Sequence, residues 1–301
     1  MDTGFIFDVK RFAINDGPGI RLTVFFKGCP LSCLWCHNPE SLALEPQKMM
    51  TESKCIQCGS CSDACEQEGC RLTELGVVTD MSKCTACGSC AEVCPTEAAE
   101  ISGRWETLES LMQEIEGQRV FFDQSGGGVT FSGGEPLMQA DFLMELLKAC
   151  QTEHIHRTVD TSGFAKTETL MRVREHTNLF LYDLKHIDSE RHRELTGVGN
   201  KIILNNLVEL AASGADIMLR VPLINGLNDD LHSVTRLAEF VSTLPGAPKV
   251  IHLLPYHAIA EMKRTRLGLA NKNQDLKPPS EAQLSAIIQI FETHSLQASI
   301  G

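Results

Sequence analysis

The sequence predicts an α/β fold that carries a smaller cysteine-rich unit inserted near its N-terminal side. Three observations predict it. From about residue 103 onward, short β-rich runs alternate with segments of helical periodicity, the pattern of successive βα units. Between residues 48 and 102 that alternation stops, and cysteines crowd the chain. Ahead of this unit stand Cys29, Cys33 and Cys36, on a loop directly after a short β run.

Taken in order, residues 5–12 read as extended. Asn15-Asp16-Gly17-Pro18-Gly19-Ile20-Arg21 has the chemistry of a turn. Residues 22–26 form a β run that delivers the chain into the cysteine loop. The loop therefore sits at the C-terminal end of a strand, the end that carries catalytic groups in parallel α/β barrels. After the insert, residues 106–115 read as a helix, and residues 127–136 as a strand running into a Gly-Gly-Glu-Pro turn. Residues 138–150 form an amphipathic helix with Phe142, Leu143, Leu146, Leu147 and Cys150 on one face; Cys150 reads as a small buried hydrophobe. Strands follow at 156–160, 179–185, 217–222 and 250–257, and helices at 202–212, 231–242 and 281–294. That makes roughly six βα units, fewer than a full eight-fold barrel has. Periodicity alone fits a partial barrel and an open doubly wound sheet equally.

The 301 residues suffice for one large domain and one small one. The net charge is −12 and no Lys/Arg run occurs, which excludes nucleic acid as the main partner. The stretch Met1-Asp2-Thr3-Gly4 has neither a basic n-region nor an apolar h-region, so no signal peptide is expected. No apolar run reaches the ~18 residues of a membrane span. Twelve of the 13 cysteines lie between Cys29 and Cys94. Without a secretion signal, that density points to metal clusters rather than disulfides, and to a reducing, anaerobic cytoplasm.

The spacing Cys29-x3-Cys33-x2-Cys36 offers three thiolates on one tight loop. A structural 4Fe-4S cluster takes four cysteines, so three leave one iron open for another ligand; a zinc knuckle is the alternative. The stretch from Lys54 to Cys65 reappears 29 residues later, from Lys83 to Cys94, with seven of twelve positions identical. Each copy reads Cys-x2-Cys-x2-Cys-x3-Cys, the two-cluster ferredoxin run in which the fourth cysteine serves the other copy's cluster. One cluster is therefore assigned to Cys55, Cys58, Cys61 and Cys94, and the other to Cys84, Cys87, Cys90 and Cys65; a pair of zinc sites is the alternative. Cys65 is followed by Glu66, where Cys94 is followed by Pro95. Cys70 reads as a packed small residue, with substitution for Cys65 as the other reading. Polar groups end the later strands: Gly133-Gly134-Glu135, Asp160-Thr161-Ser162-Gly163, Asp183 with Lys185, Arg220, and Tyr256-His257. Singly these are turns, a helix cap or surface ion pairs. Together at successive strand ends, beside a three-cysteine loop, they read as one site.

Across nearly its whole length the chain resembles the glycyl-radical-enzyme activating enzymes of the radical S-adenosylmethionine (radical SAM) superfamily, typified by pyruvate formate-lyase activase. The motifs that carry the resemblance are Asp16 to Arg21, Gly28 to Asn38, Ser125 to Thr130, Ser132-Gly133-Gly134-Glu135, Asp160-Thr161-Ser162-Gly163, Asp183-Leu184-Lys185 and Leu254-Pro255-Tyr256-His257. The cysteine-rich insert resembles that of the longer activases, which serve dehydratases, decarboxylases and C–S or C–N lyases. The resemblance implies a partial (βα)6 barrel of radical SAM type over residues 1–47 and 103–301, with a two-cluster ferredoxin-like insert over 48–102. It implies that Cys29, Cys33 and Cys36 hold a cluster completed by S-adenosylmethionine, with Trp35 and His37 bordering the adenine. The Gly133-Gly134-Glu135 backbone would take the methionine amino group and Arg220 the carboxylate. Asp160, Thr161 and Asp183 resemble a monovalent-cation site. Leu184 belongs to the nucleoside-binding Asp183-Leu184-Lys185 motif, and Lys185 and His257 would contact the nucleoside. Asp16 would meet the glycine-bearing loop of a partner glycyl radical enzyme. The two insert clusters would relay electrons from a flavodoxin or ferredoxin, with a structural role as the alternative, and the chain would act as a monomer.

Two other readings compete. A radical SAM enzyme acting on a small molecule has no evident use for the Asp16–Arg21 stretch. An electron-transfer ferredoxin with an added domain leaves the open-site cysteine triplet and the strand-end polar set unexplained.

Overall fold

The computed structural model describes residues 3–74, 76–246, 250–269 and 275–301; Met1 and Asp2 lie outside them. A nine-stranded mixed sheet forms its centre. Strands β1 (Thr3–Ala13) and β2 (Arg21–Phe26) make an antiparallel pair joined by the Asp16–Arg21 turn. In the insert, β3 (Gln47–Met50) pairs antiparallel with β6 (Ala99–Ser102), and β4 (Cys70–Thr73) forms a hairpin with β5 (Gly76–Thr79). Strand β7 (Arg104–Thr107) then pairs antiparallel with β1. The parallel strands follow as β8 (Gly128–Gly133), β9 (His156–Thr161), β10 (Leu179–Asp183), β11 (Ile217–Leu223), β12 (Val250–Pro255) and β13 (Gln297–Ile300).

The spatial order is β13-β12-β11-β10-β9-β8-β2-β1-β7. From β2 to β13 the seven parallel strands lie in chain order, without the reversal that creates a switch point in doubly wound sheets. The winding is therefore that of a barrel. It stays open, because β7 and β13 are the two edges of the sheet. Register aligns the strand ends along one rim: Gly133 stands opposite Phe26, Thr161 opposite Tyr182, and Asp183 opposite Arg220.

Alternation along the strands separates two environments. Leu22, Val24, Phe26, Val129, Phe131 and Val159 enter the hydrophobic core, where helix Ala140–Thr152 buries Phe142, Leu143, Leu146, Leu147 and Cys150. The opposite face of β2, β8 and β9 is polar. Arg21, with no exposed surface, donates from Nε to Thr130 Oγ1 (2.6 Å) and from Nη2 to Val129 O (2.6 Å) and Thr158 Oγ1 (2.9 Å); its Nη1 donates to Pro18 O (2.9 Å). This fork ties the turn to two strands. Arg21→Lys keeps the charge but loses the fork, and is expected to cost about 2–3 kcal/mol of stability, measurable as a lower urea midpoint.

Three elements differ from the sequence reading. The helix expected over 106–115 is Leu108–Glu116, because Thr107 caps it by accepting from Ser110 N–H and Glu106 is part of β7. The chain does not finish on a helix: β13 follows helix Glu281–Thr293 and adds a seventh parallel strand. Asp160-Thr161-Ser162-Gly163 does not cap a helix, since the next one, Thr167–Arg174, begins four residues beyond it. Among the described residues no helix is long and apolar enough to cross a membrane.

Candidate active site

The cysteine loop is held from three sides. Gly28 N–H donates to Ser41 O (2.6 Å) and Cys29 N–H to Leu42 O (3.2 Å). Ser32 and Leu34 donate to Thr196 O (2.8 Å) and Leu195 O (3.0 Å) in helix Ser189–Thr196. From the Gly-Gly-Glu turn, Gly134 N–H donates to Phe26 O and Glu135 N–H to Gly28 O, both at 2.8 Å. A Cβ on Gly134 would lie 2.3 Å from Gly28 O and 2.9 Å from Ser41 O. Loop and turn thus approach as closely as backbone allows, which requires glycine. Burial raises all three thiols, Cys36 to about 12, so metal binding here must release protons.

The three thiols open onto a cavity of about 490 Å³ at the strand-end rim. Its wall also carries Asp16, Trp35, His37, Gly133, Gly134, Asp160, Thr161, Asp183, Lys185 and Arg220. Three expected site residues are not in the wall. Leu184 is buried in the core. His257 is exposed. Glu135 is 1% exposed and turned away: its carboxylate accepts from Thr161 Oγ1 (2.7 Å), Ser162 N–H (2.9 Å) and Ser162 Oγ (2.5 Å). Burial pushes the Glu135 carboxyl up, against the pull of these donors. Glu135 therefore fastens the turn after β8 to the end of β9, and its backbone N–H fastens that turn to the cysteine loop.

Arg220 stands between two carboxylates. Its Nη1 lies 3.3 Å from Asp160 Oδ2 and its Nε 3.6 Å from Asp183 Oδ1, while Lys185 Nζ lies 2.8 Å from Asp183 Oδ2. Ser132 Oγ donates to Asp160 Oδ2 (2.6 Å). Burial raises Asp160 even with Arg220 beside it. Burial also pushes Asp183 upward, but Lys185 and Arg220 outweigh it and hold the carboxyl below its ordinary value. Arg220 Nε and Nη1, Asp183 Oδ1 and Tyr256 Oη are buried yet have no hydrogen-bond partner. All three residues face the cavity. Arg220 and Asp183 are held by ion pairs rather than hydrogen bonds, so the cavity offers donors and acceptors to a polar ligand. Trp35 packs with Leu195, Ile224 and Tyr256 into an apolar wall, and the His37 ring lies 6.1 Å from that of Tyr256.

Asp16 is fixed at the wall by Thr23 Oγ1, which donates to its Oδ2 (2.8 Å), and by Thr130 Oγ1, which donates to its carbonyl (2.7 Å). The structure adds Lys263, from helix Ile259–Arg266, to the wall. Its Nζ donates to Asn38 Oδ1 (2.7 Å) and pairs with Glu40 Oε1 (2.6 Å), holding the end of the cysteine loop. A lysine on a short polar helix carries no sequence signal for this. Ser132 and Ser162 lie within motifs that the sequence singled out, but neither had a role of its own there.

In the insert, the repeat is visible in the backbone. Gln57 and Ala86, Gly59 and Gly88, and Glu68 and Glu97 are pairs at the repeat spacing, and every one has positive φ. Each glycine starts a one-turn helix, Ser60–Asp63 or Ser89–Glu92. Cys55, Cys58, Cys61 and Cys94 line one small cavity. Cys65, Cys84, Cys87 and Cys90 line a second, together with Cys70. Among the described residues no three His, Cys, Asp or Glu side chains converge as a single-ion site requires.

Residues 23–238 match the model of the radical SAM superfamily. The chain is 42% identical over 299 residues to a trans-4-hydroxy-L-proline dehydratase activating enzyme from Clostridioides difficile, covering 98% of each chain. It is 38% identical to a choline trimethylamine-lyase activating enzyme from Oleidesulfovibrio alaskensis, covering 98% of this chain and 97% of that one. Among solved structures it resembles a domain of a pyruvate-formate lyase-activating enzyme from Bacteroides vulgatus, with 39% identity and a TM-score of 0.51, over 58% of this chain and 99% of that one. A barrel-wound sheet, a three-thiol loop at its rim and end-to-end likeness to these proteins agree: the chain belongs to the radical SAM superfamily and, within it, to the activating enzymes of glycyl radical enzymes.

Proposed function

We propose that the cavity at Cys29, Cys33 and Cys36 is where this chain cleaves S-adenosylmethionine and where a glycine of the partner enzyme gives up a hydrogen. One observation carries the reading: three clustered thiols share a cavity with Arg220 and Asp183, an ion-paired cluster that leaves donor and acceptor atoms without hydrogen bonds among the described residues. The 4Fe-4S cluster, when bound, supplies the electron that cleaves S-adenosylmethionine to methionine and the 5′-deoxyadenosyl radical. Cys29, Cys33 and Cys36 would hold three of its irons. The Gly133-Gly134 backbone would receive the methionine amino group, and the planar fork of Arg220 its carboxylate. Trp35 and His37 would border the adenine, with Lys185 toward the nucleoside; His257 stands outside this wall. Leu184 acts only by packing, and Glu135 by positioning the turn. Asp160, Thr161 and Asp183 would form the monovalent-cation site. Asp16 would face the partner's glycine loop, and that loop, once seated, would exclude stray hydrogen donors.

The domain division follows: residues 1–47 and 103–301 form the partial barrel, and 48–102 a ferredoxin-like unit. Two 4Fe-4S clusters would occupy it, one on Cys55, Cys58, Cys61 and Cys94, the other on Cys65, Cys84, Cys87 and Cys90. These sets are the ones that share a cavity. They would carry electrons from a flavodoxin or ferredoxin. A Cys58→Ala/Cys87→Ala variant is then expected to lose most of its activation rate with that donor and to regain it with dithionite; an unchanged rate with the protein donor counts against the relay. The partner is a glycyl radical enzyme, as the names of the relatives indicate for theirs. The cavity itself is tested by incubating reduced enzyme with S-adenosylmethionine: stoichiometric methionine and 5′-deoxyadenosine are expected, and neither product from a Cys29→Ala/Cys33→Ala/Cys36→Ala variant.

A further inference from the structure

Lys48 is a buried cation with sulfur around it. It is 3% exposed, and its Nζ donates to Cys70 Sγ at 3.1 Å. Among the described residues no carboxylate pairs with it; it lines one cavity with Cys65, Cys70, Cys84, Cys87 and Cys90. Cys61 belongs to one four-thiol set and Cys90 to the other. Together with Cys70 and Ala99 they form the buried centre of the insert.

The sequence explains how Lys48 arrives there. Residues two apart on a strand share a face. On β3, Met50 lines the cavity of Cys55, Cys58, Cys61 and Cys94, and Lys48 lines that of Cys65, Cys84, Cys87 and Cys90. The pairing of β3 with β6 fixes this face against both cradles. Burying an ammonium without an anion is costly, and neutral thiols do not offset it. A 4Fe-4S cluster with four thiolate ligands does, because it carries net negative charge, one unit more when reduced.

We propose that Lys48 is a positioning residue for charge, which sets the reduction potential of the insert clusters. The inference rests on the reading of the insert as a two-cluster unit. An ammonium fixed in a low-dielectric site attracts the reduced cluster more strongly than the oxidised one, and therefore raises the potential. Through the single strand β3, this lysine makes the insert easier to reduce by an incoming flavodoxin or ferredoxin. Cys70 supplies the sulfur that aims the ammonium.

The test is a potentiometric titration of the anaerobically reconstituted full-length holoenzyme, followed by electron paramagnetic resonance. Iron and sulfide are analysed in parallel, and a Cys29→Ala/Cys33→Ala/Cys36→Ala series assigns the insert signals. Lys48→Met is expected to keep wild-type iron and sulfide. At a fixed potential it should lower the reduced-to-oxidised ratio of the insert clusters about tenfold, ~59 mV for a one-electron couple. Lys48→Arg should stay near wild type. If Lys48→Met does not assemble, Lys48→Gln, which keeps a donor without the charge, should show the same shift. Unchanged potentials in an intact charge-free variant overturn the proposal. So does loss of clusters from both Met and Gln variants while Arg retains them, which would make the lysine structural. Wild-type protein with iron and sulfide for a single cluster overturns the two-cluster reading instead.

Discussion

Gly134→Ala is expected to lower 5′-deoxyadenosine formation by about 100-fold, the cost of displacing reacting groups by ~1 Å. The added methyl would meet Gly28 O, Gly28 C and Ser41 O, at 2.3, 2.7 and 2.9 Å. All three are backbone atoms, so no side chain can swing aside. Relief requires the turn after β8 to part from the cysteine loop, breaking the 2.8 Å bonds from Gly134 N–H to Phe26 O and from Glu135 N–H to Gly28 O. The thiols ride on that loop. The proposed insert clusters lie apart from this strain, so the variant should keep wild-type insert iron. Near wild-type turnover would mean that loop and turn are positioned independently.

Arg220→Gln is expected to destabilise the fold by about 3–5 kcal/mol, the usual result of removing one partner from a buried ion pair. It leaves Asp160 and Asp183 facing each other without the cation between them. Turnover should fall as well, because the fork aimed into the cavity is gone. Stability and turnover should then separate. An added Asp160→Asn removes an uncompensated charge and should recover much of the urea midpoint, with no recovery of 5′-deoxyadenosine. Equal recovery of both would assign Arg220 a purely structural role.

Different parts of the molecule were legible for different reasons. The Cys29, Cys33 and Cys36 loop and the duplicated runs are local: thiol spacing over a few residues encodes the chemistry. Asp183 was legible because it ends an apolar run, and Arg220 because it is the one charge within one. The winding of the sheet was not, since periodicity reports a strand's faces and not its neighbours. The short strands β7 and β13 have four residues each, too few for a period-two signal to stand out. Glu135 marks the other limit. Its motif was visible, but its partners Thr161 and Ser162 are 26 and 27 residues away, so its positioning role emerges only from the fold. Buried cations were hidden in the same way. Arg21, Lys27 and Lys48 look like surface charges in the sequence, and each is enclosed by groups brought in from other elements.

In the proposed reaction this cavity moves a hydrogen from a glycine of another protein to the deoxyadenosyl carbon. The most direct test pairs the reduced enzyme and S-adenosylmethionine with a candidate glycyl radical enzyme prepared with Cα-deuterated glycine. A glycine-centred radical by electron paramagnetic resonance and one deuterium in the 5′-deoxyadenosine are expected. With unlabelled glycine the signal should be a doublet, split by the remaining α-hydrogen. Undeuterated 5′-deoxyadenosine formed at full rate, with no glycine-centred signal, would contradict this reaction.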